Sequence, residues 1–376
     1  MNLKEKVFQD RISCDHESIM DGYSAGAVAG PAGGGLKPVR PISEINREYL
    51  SLDTSKCLRG FFAIVVVFHH LAQRTQMGEL FRYFNRVGFL AVAVFFFLSG
   101  YGLQKSYMIK ADTYRKSFPA KRLPSILIPY LIMTAIYWCV HAATGSVYSF
   151  KAVLLSQVNG TPLADFSWYI ENIFLFYIAF WILMCVCRKH YRLMPVGALI
   201  WYLLYVFMCV KLNYGIWWFI STQLLIVGMI WAIEEEHILK ALEKNVVLIS
   251  LILLTVLVWI VFLLLFKYEY KLAALISVSN GDTIMKMIMA TVFPIGFILL
   301  SVKFRIGNPV LRFLGNISLE IYLAQGIPTL LLRSRWIYLS NDLLYAVSVL
   351  IITVVLAYGL HQLFGLLLRR TSRQKA

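Results

Sequence analysis

The sequence predicts an all-α protein, a polytopic transmembrane helical bundle of about ten spans with both termini in the cytoplasm. Three observations carry this. The 376 residues are 59% hydrophobic and only 15% charged, and their mean hydropathy is +0.68; soluble domains sit near half apolar and a quarter charged. Apolar runs recur at lengths near 20 residues, which is what the hydrocarbon core of a bilayer requires. The 25 Phe, 21 Tyr and 9 Trp fit a chain whose aromatic rings mark bilayer interfaces.

The formal net charge of +16 would suggest nucleic acid in a soluble protein. Here the basic residues fall in short loops beside apolar runs, where they set topology against an anionic leaflet. The expected partner is therefore the lipid bilayer, with no nucleic acid, and the expected location is the cell membrane. Six cysteines (Cys14, Cys57, Cys139, Cys185, Cys187, Cys209) lie mostly within or beside apolar runs. They form no disulfide framework and no zinc spacing, so no metal is expected.

Taken in order, residues 1–50 read as a disordered cytoplasmic tail. The run GAVAGPAGGG within it is a flexible linker by composition, and no apolar core of signal-peptide length precedes it. Residues 51–370 form the membrane domain, and 371–376 a second cytoplasmic tail. Spans are expected at about 58–75, 87–107, 123–143, 168–187, 193–211, 216–233, 246–266, 283–302, 311–332 and 343–367. With the N-terminus inside, the inner segments hold nearly three times as many Lys and Arg as the outer ones, which sets both termini in the cytoplasm.

The first span reads LRGFFAIVVVFHH. Arg59 and His70 are eleven residues apart, which returns a helix to within about 20° of the same face, three turns and about 16 Å along. His69 points about 100° away from that stripe. A cation and an imidazole in a membrane helix need a reason, and imidazole is the side chain best suited to accept a proton near neutral pH. Arg59 fits two readings, a snorkelling helix start or an anion binder at the cytoplasmic mouth of a cavity.

In the second span Phe95 to Phe97 precede Ser99-Gly100-Tyr101-Gly102, small residues that let a helix or ligand come close. Basic residues, including Lys121 and Arg122, lead into a third span interrupted by Pro124 and Pro129; freed backbone groups at membrane depth are tolerated where the chain lines a cavity. Glu320, with Asn316, Ser318, Tyr322 and Gln325, lies near mid-membrane, where a carboxylate is costly. Glu171 follows Asp165 and Trp168 near the outer interface. Lys286 and His361 read as structural, and Trp217 and Trp218 as an interface belt.

LRG and then His in the first span, FFFLSGYGL in the second, the basic F…KR…IPY approach to the third and LGNISLEIYLAQ late in the chain together resemble the acyltransferase 3 family of integral membrane acyltransferases. The similarity covers about residues 50–370, and it rests on the order and spacing of the motifs. It implies transfer of an acyl group, usually acetyl, from cytoplasmic coenzyme A thioester to a sugar or other small acceptor at the outer face. The family's Arg, ten residues, His pattern falls on Arg59 and His70, implying a catalytic His70 and an arginine in the donor site. Its Arg-x-x-Arg begins on Arg122, but the second position is Ser125 here. Gln325 stands where many relatives carry histidine.

The expected function is thus a membrane O-acyltransferase using acetyl-CoA or another acyl-CoA and acting on a glycan or cell-envelope acceptor. His70 is the expected base, and Arg59, Lys121 and Arg122 the donor grip. Ser99, Trp168, Glu171, Glu320, Tyr322 and Gln325 are expected to line the cavity. Two alternatives remain at this stage: a transporter with His70 and Glu320 as a proton relay, and a non-catalytic membrane sensor or assembly partner.

Overall fold

The structure, a computed structural model, describes residues 37–38, 45–75, 84–267 and 279–373. Most of the tail expected over 1–50 lies outside them, as do the last three residues of the chain. The helices are α1 (Leu52–Ala72), α2 (Gly88–Thr144), α3 (Phe150–Val158), α4 (Trp168–Cys187), α5 (Met194–Lys211), α6 (Leu224–Leu242), α7 (Asn245–Lys267), α8 (Ser279–Lys303), α9 (Pro309–Asn316), α10 (Ser318–Ala324), α11 (Gly326–Leu331) and α12 (Asp342–Arg373). Two short strands, β1 (Lys37–Pro38) and β2 (Phe304–Arg305), pair antiparallel. Among the described residues six helices are long and apolar enough to cross a membrane, or seven if the bent pair α6 and α7 counts as one span.

Helix α1 starts where its sequence supplies a cap. The Ser51 hydroxyl accepts the Thr54 N–H at 3.3 Å, and Asp53 sits in the first turn, where a carboxylate suits the positive helix end. Its 21 residues rise about 32 Å, close to the hydrocarbon thickness.

Helix α2, at 57 residues, is one assignment but two arms, broken at Ala111 (φ 42°, ψ −120°). Both arms follow α4, in opposite directions. In the first, Phe96 lies 5.1 Å from the Tyr169 ring, and farther on the Tyr107 hydroxyl donates to the Arg188 carbonyl at 2.7 Å. Past the break, Phe118 lies 6.1 Å from Phe180, and the Tyr130 hydroxyl donates to Glu171 at 2.7 Å. The chain runs along α4 and returns, so the spans expected near 87–107 and 123–143 are the two arms. Gly145, at φ +109°, ends the second arm in the left-handed conformation that glycine adopts without strain.

Two expected spans are corrected. The run near 216–233 does not begin as a helix of membrane length. Residues Ile216–Trp218 form one 3-10 turn, and α6 starts only at Leu224. The intervening turns carry Trp218, Phe219 and Ile220 into the core, so Trp218 is a core residue, while Trp217 stays half exposed. The run near 311–332 is three short helices, α9 to α11, instead of one. Asn308 caps the first, its side chain accepting from Val310 and Leu311 N–H at 2.8 and 3.2 Å. Pro328 lacks the N–H that would continue the ladder back to Ala324, and the chain breaks at Gln325. Such irregular backbone survives at membrane depth only when enclosed by protein, and Gln325 and Gly326 are buried.

Two glycine contacts set helix positions. A Cβ on Gly315 would stand 1.9 Å from the Lys56 carbonyl oxygen, and one on Gly60 would stand 2.1 Å from that of Leu311, so α1 and α9 meet backbone to backbone. Gly100 and Gly228 bring α2 onto α6 in the same way, 1.9 and 2.2 Å from the carbonyl oxygens of Leu225 and Phe97. The small-residue reading of the second span holds for Gly100; Gly102 has nothing within 4 Å.

The fold begins before residue 51. The Asn46 amide donates to the Ser301 carbonyl at 3.0 Å. Tyr49 is fully buried; its hydroxyl donates to Glu235 at 2.9 Å and accepts from the Trp231 indole at 2.8 Å. Residues 46 and 49 thus pack on the helical bundle. Charges segregate to two ends of the bundle. Pairs Arg47–Glu243, Glu48–Arg305, Asp53–Arg312 and Lys105–Glu235 gather at one, and Arg74–Asp165 and Arg333–Asp342 at the other.

Candidate active site

The register made by Gly60 on Gly315 fixes what faces His70. Ten residues beyond Gly60 is His70, and ten beyond Gly315 is Gln325. The two segments run side by side in the same direction, and the His70 Nδ1 lies 2.9 Å from the Gln325 Oε1. Both side chains are buried, at 7% and 1% exposure. On its face the imidazole is stacked by Phe166, with centroids 3.7 Å apart and planes 14° from parallel. Phe166 holds a left-handed backbone, φ +68°, which is costly for a bulky residue. The Tyr322 hydroxyl secures it by donating to the Phe166 carbonyl at 2.6 Å.

His69 lies beside this imidazole, its ring 5.1 Å from that of His70, but is held elsewhere. Its Nδ1 lies 2.9 Å from the Phe84 carbonyl and its ring lies against Gly88, so it ties α1 to the start of α2.

At the other end of the stripe, Arg59 donates from Nε to the Ser55 carbonyl at 3.3 Å. Its guanidinium lies within electrostatic reach of Arg122, Tyr169 and Tyr177. No carboxylate pairs with it among the described residues. Lys121 is one residue from Arg122 but exposed on another side of the helix, so the structure does not bring it to Arg59. Ser125, at the position of the second arginine of Arg-x-x-Arg, turns its hydroxyl back onto the Arg122 carbonyl at 2.7 Å.

Between the two ends stands Tyr169, which the sequence did not single out. Ser99 lies beside its phenol. Its ring is 5.1 Å from that of Tyr322 and 6.5 Å from that of Trp168. A line of side chains therefore runs from Tyr169 through Tyr322 and Phe166 to His70, with Arg59 within electrostatic reach of its Tyr169 end. Glu171 borders it, bonded to Tyr130. Trp168 packs beside Trp218, 6.2 Å away.

Glu320 is elsewhere. Its Oε1 lies 3.0 Å from the His361 Nδ1, and it faces α12 instead of His70. A His70–Glu320 relay would have to bypass both partners. Phe166 and Tyr169 were missed because neither carries a charge or a motif; a left-handed phenylalanine and a central tyrosine are products of packing.

Above Phe166 the loop carries Asp165, paired with Arg74 at 3.4 Å. Burial raises the Asp165 carboxyl above the ordinary carboxylate range, while Arg74 and His141 pull it back down.

The acyltransferase domain family, acyltransferase 3, matches residues 51–362. No curated protein and no solved structure matches the chain. The match spans nearly the whole helical bundle, including the Arg59–His70 stripe and the broken segment that faces it. The chain therefore belongs to the acyltransferase 3 family of membrane acyltransferases.

Proposed function

We propose that this membrane acyltransferase moves an acetyl group from coenzyme A to a hydroxyl of an extracytoplasmic glycan or cell-envelope acceptor. The observation that carries the reading is the line of side chains from Tyr169 to His70, with Arg59 within electrostatic reach of its Tyr169 end. Arg59 and Arg122 lie within electrostatic reach of one another; like charges repel, and the phosphates of coenzyme A would be drawn to such a pair. The pantetheine arm is long and flexible, and it would carry the thioester toward His70 past Ser99, Tyr169 and Tyr322.

His70 then acts as general base. It removes the acceptor hydroxyl proton as the oxygen forms its bond to the thioester carbonyl carbon, the carbon–sulfur bond breaks, and the proton passes from imidazolium to the leaving thiolate. The products are the acylated acceptor and free coenzyme A thiol. Trp168 and Glu171 would border the acceptor on the outer side. Glu320 serves the scaffold in this reading.

The topology that suits this chemistry has ten spans in the cell membrane with both termini cytoplasmic. The two arms of α2 count as two crossings, α6 and α7 as one each, and α9 to α11 together as the ninth. The Arg59 end then faces the cytoplasmic donor and the His70 end faces outward.

The test is label transfer from radioactive acetyl-CoA in membranes that contain the full chain. His70→Ala is expected to lower transfer about 100- to 10,000-fold with the protein still inserted at normal abundance. Arg59→Ala is expected to raise the KM for acetyl-CoA more than it lowers kcat. Full transfer by His70→Ala would overturn the reading.

A further inference from the structure

The broken segment between α10 and α11 supplies a group that the reading above does not use. The Gln325 side chain is 1% exposed and both of its ends are engaged. Its Nε2 donates to the Tyr322 carbonyl at 3.0 Å. Only the amide nitrogen can donate to a carbonyl oxygen, so this bond sets the orientation of the amide and turns Oε1 toward α1. Oε1 lies 2.9 Å from the His70 Nδ1, and an amide oxygen only accepts. Nδ1 must therefore carry a proton. In a neutral imidazole the other nitrogen, Nε2, is then the one with a free lone pair. The Phe166 ring, parallel at 3.7 Å, closes one face of the imidazole and opposes its rotation.

We infer that Gln325 is a positioning residue, holding the Nδ1 proton of His70 so that Nε2 is the nitrogen that takes the acceptor proton. The inference rests on His70 being the base. It assigns to a neutral amide the orienting part that a carboxylate plays behind many catalytic histidines. The difference matters chemically. A carboxylate would favour imidazolium, whereas an amide fixes the tautomer without adding charge to a buried site. The break in the helix belongs to the same device. The backbone at Gln325 stays right-handed helical while the hydrogen-bond ladder is interrupted there, and the side chain is gripped from its own preceding turn and aimed at α1. The Gln325 backbone carbonyl is meanwhile taken by the Thr329 hydroxyl.

The experiment uses the full chain in membranes, with labelled acetyl-CoA as probe and kcat, KM and the pH profile as readouts. Gln325→Leu keeps the volume and removes the acceptor for Nδ1–H. It is expected to lower kcat about 10- to 100-fold with the KM for acetyl-CoA unchanged. Gln325→Glu keeps an oxygen at the same place and adds a charge. It is expected to retain most of kcat, while the limb of the pH profile set by His70 moves to higher pH by about one unit or more. A group that served only packing would move neither the limb nor the split between kcat and KM.

An activity-independent readout follows His70 directly, as the pH midpoint of its carbethoxylation read on the His70 peptide, with His70→Ala as blank. That midpoint is expected to rise in Gln325→Glu. Unchanged kcat and midpoint in both Gln325 variants, with His70→Ala inactive, would overturn the positioning role alone. An active His70→Ala would overturn the base instead. Should Gln325→Leu fail to accumulate, the isosteric Gln325→Glu decides: a shifted midpoint supports the role and an unmoved one ends it.

Discussion

Two histidines are buried on either side of the same broken segment, and they are held by different partners. His70, on α1, meets the amide of Gln325 at 2.9 Å. His361, on α12, meets the carboxylate of Glu320 at 3.0 Å. Burial is similar, with all four side chains under 10% exposed. The amide is fully engaged, one end on His70 and the other on the Tyr322 carbonyl. The carboxylate is half engaged, since its Oε2 has no hydrogen-bond partner among the described residues. A charge-assisted bond holds a pair firmly but commits both groups to each other. A neutral bond orients the imidazole and leaves its second nitrogen available. Similar geometry thus yields a brace on one side and, on the other, the imidazole proposed as the base.

Removing one member of each pair should separate these roles. The largest stability effect is expected for His361→Ala, which leaves a buried carboxylate without its partner and costs about 3–5 kcal/mol. It would be read as a fall in abundance and in the unfolding midpoint in detergent, with the surviving protein keeping the kcat of the unaltered acyltransferase. The double change His361→Leu with Glu320→Leu should recover most of that stability, because hydrophobic replacement of a buried pair is close to neutral. A double variant that is stable yet inactive would move Glu320 into the chemistry and erase the contrast.

Gly315→Ala acts on the His70 side by another route. The added methyl would fall 1.9 Å from the Lys56 carbonyl oxygen, so α9 must shift from α1. We expect about 1–3 kcal/mol of lost stability and a kcat loss resembling that of Gln325→Leu, since His70 and Gln325 share that register. Gly102→Ala, with nothing within 4 Å, is the matched control and should change stability by no more than about 1 kcal/mol, in the favourable direction for a helix. Equal damage from both would show that the glycine contact does not set the register.

The smallest effect concerns the loop over Phe166. Because burial raises the Asp165 carboxyl, the folded protein binds that proton more tightly than the unfolded chain does. Stability from this group is therefore full below the unfolded carboxylate value of about 4 and falls as pH climbs through the raised one. Asp165→Asn should flatten that fall in unfolding midpoints measured across mildly acidic pH. It should leave the brace at His361 untouched, whereas a change in the acid limb of activity would tie the loop to His70.

Helix existence was legible because membrane spans announce themselves by length and hydropathy. The spans read near 168–187 and 193–211 agree with α4 and α5 to within a residue or so. The breaks were less legible. Ala111 sits in no motif, and its non-helical backbone arises where the two arms of α2 must both follow α4. Gln325 read only as one more polar residue, because its partner is 255 positions away. Phe166 gave no signal, since nothing in a phenylalanine announces a positive φ.

By itself the sequence determined the class of the protein, the polar stripe on α1 and the order of the motifs that define the family. These depend on composition and on spacing along single helices, which the 3.6-residue period carries. Only the tertiary structure decided which polar residues meet. It gave Gln325 to His70 and Glu320 to His361, placed Arg122 within electrostatic reach of Arg59 and left Lys121 exposed, and set Tyr169 against Tyr322. The physical reason is that these choices follow from backbone contacts at Gly60 and Gly315, and a helix period says nothing about which helix lies against which.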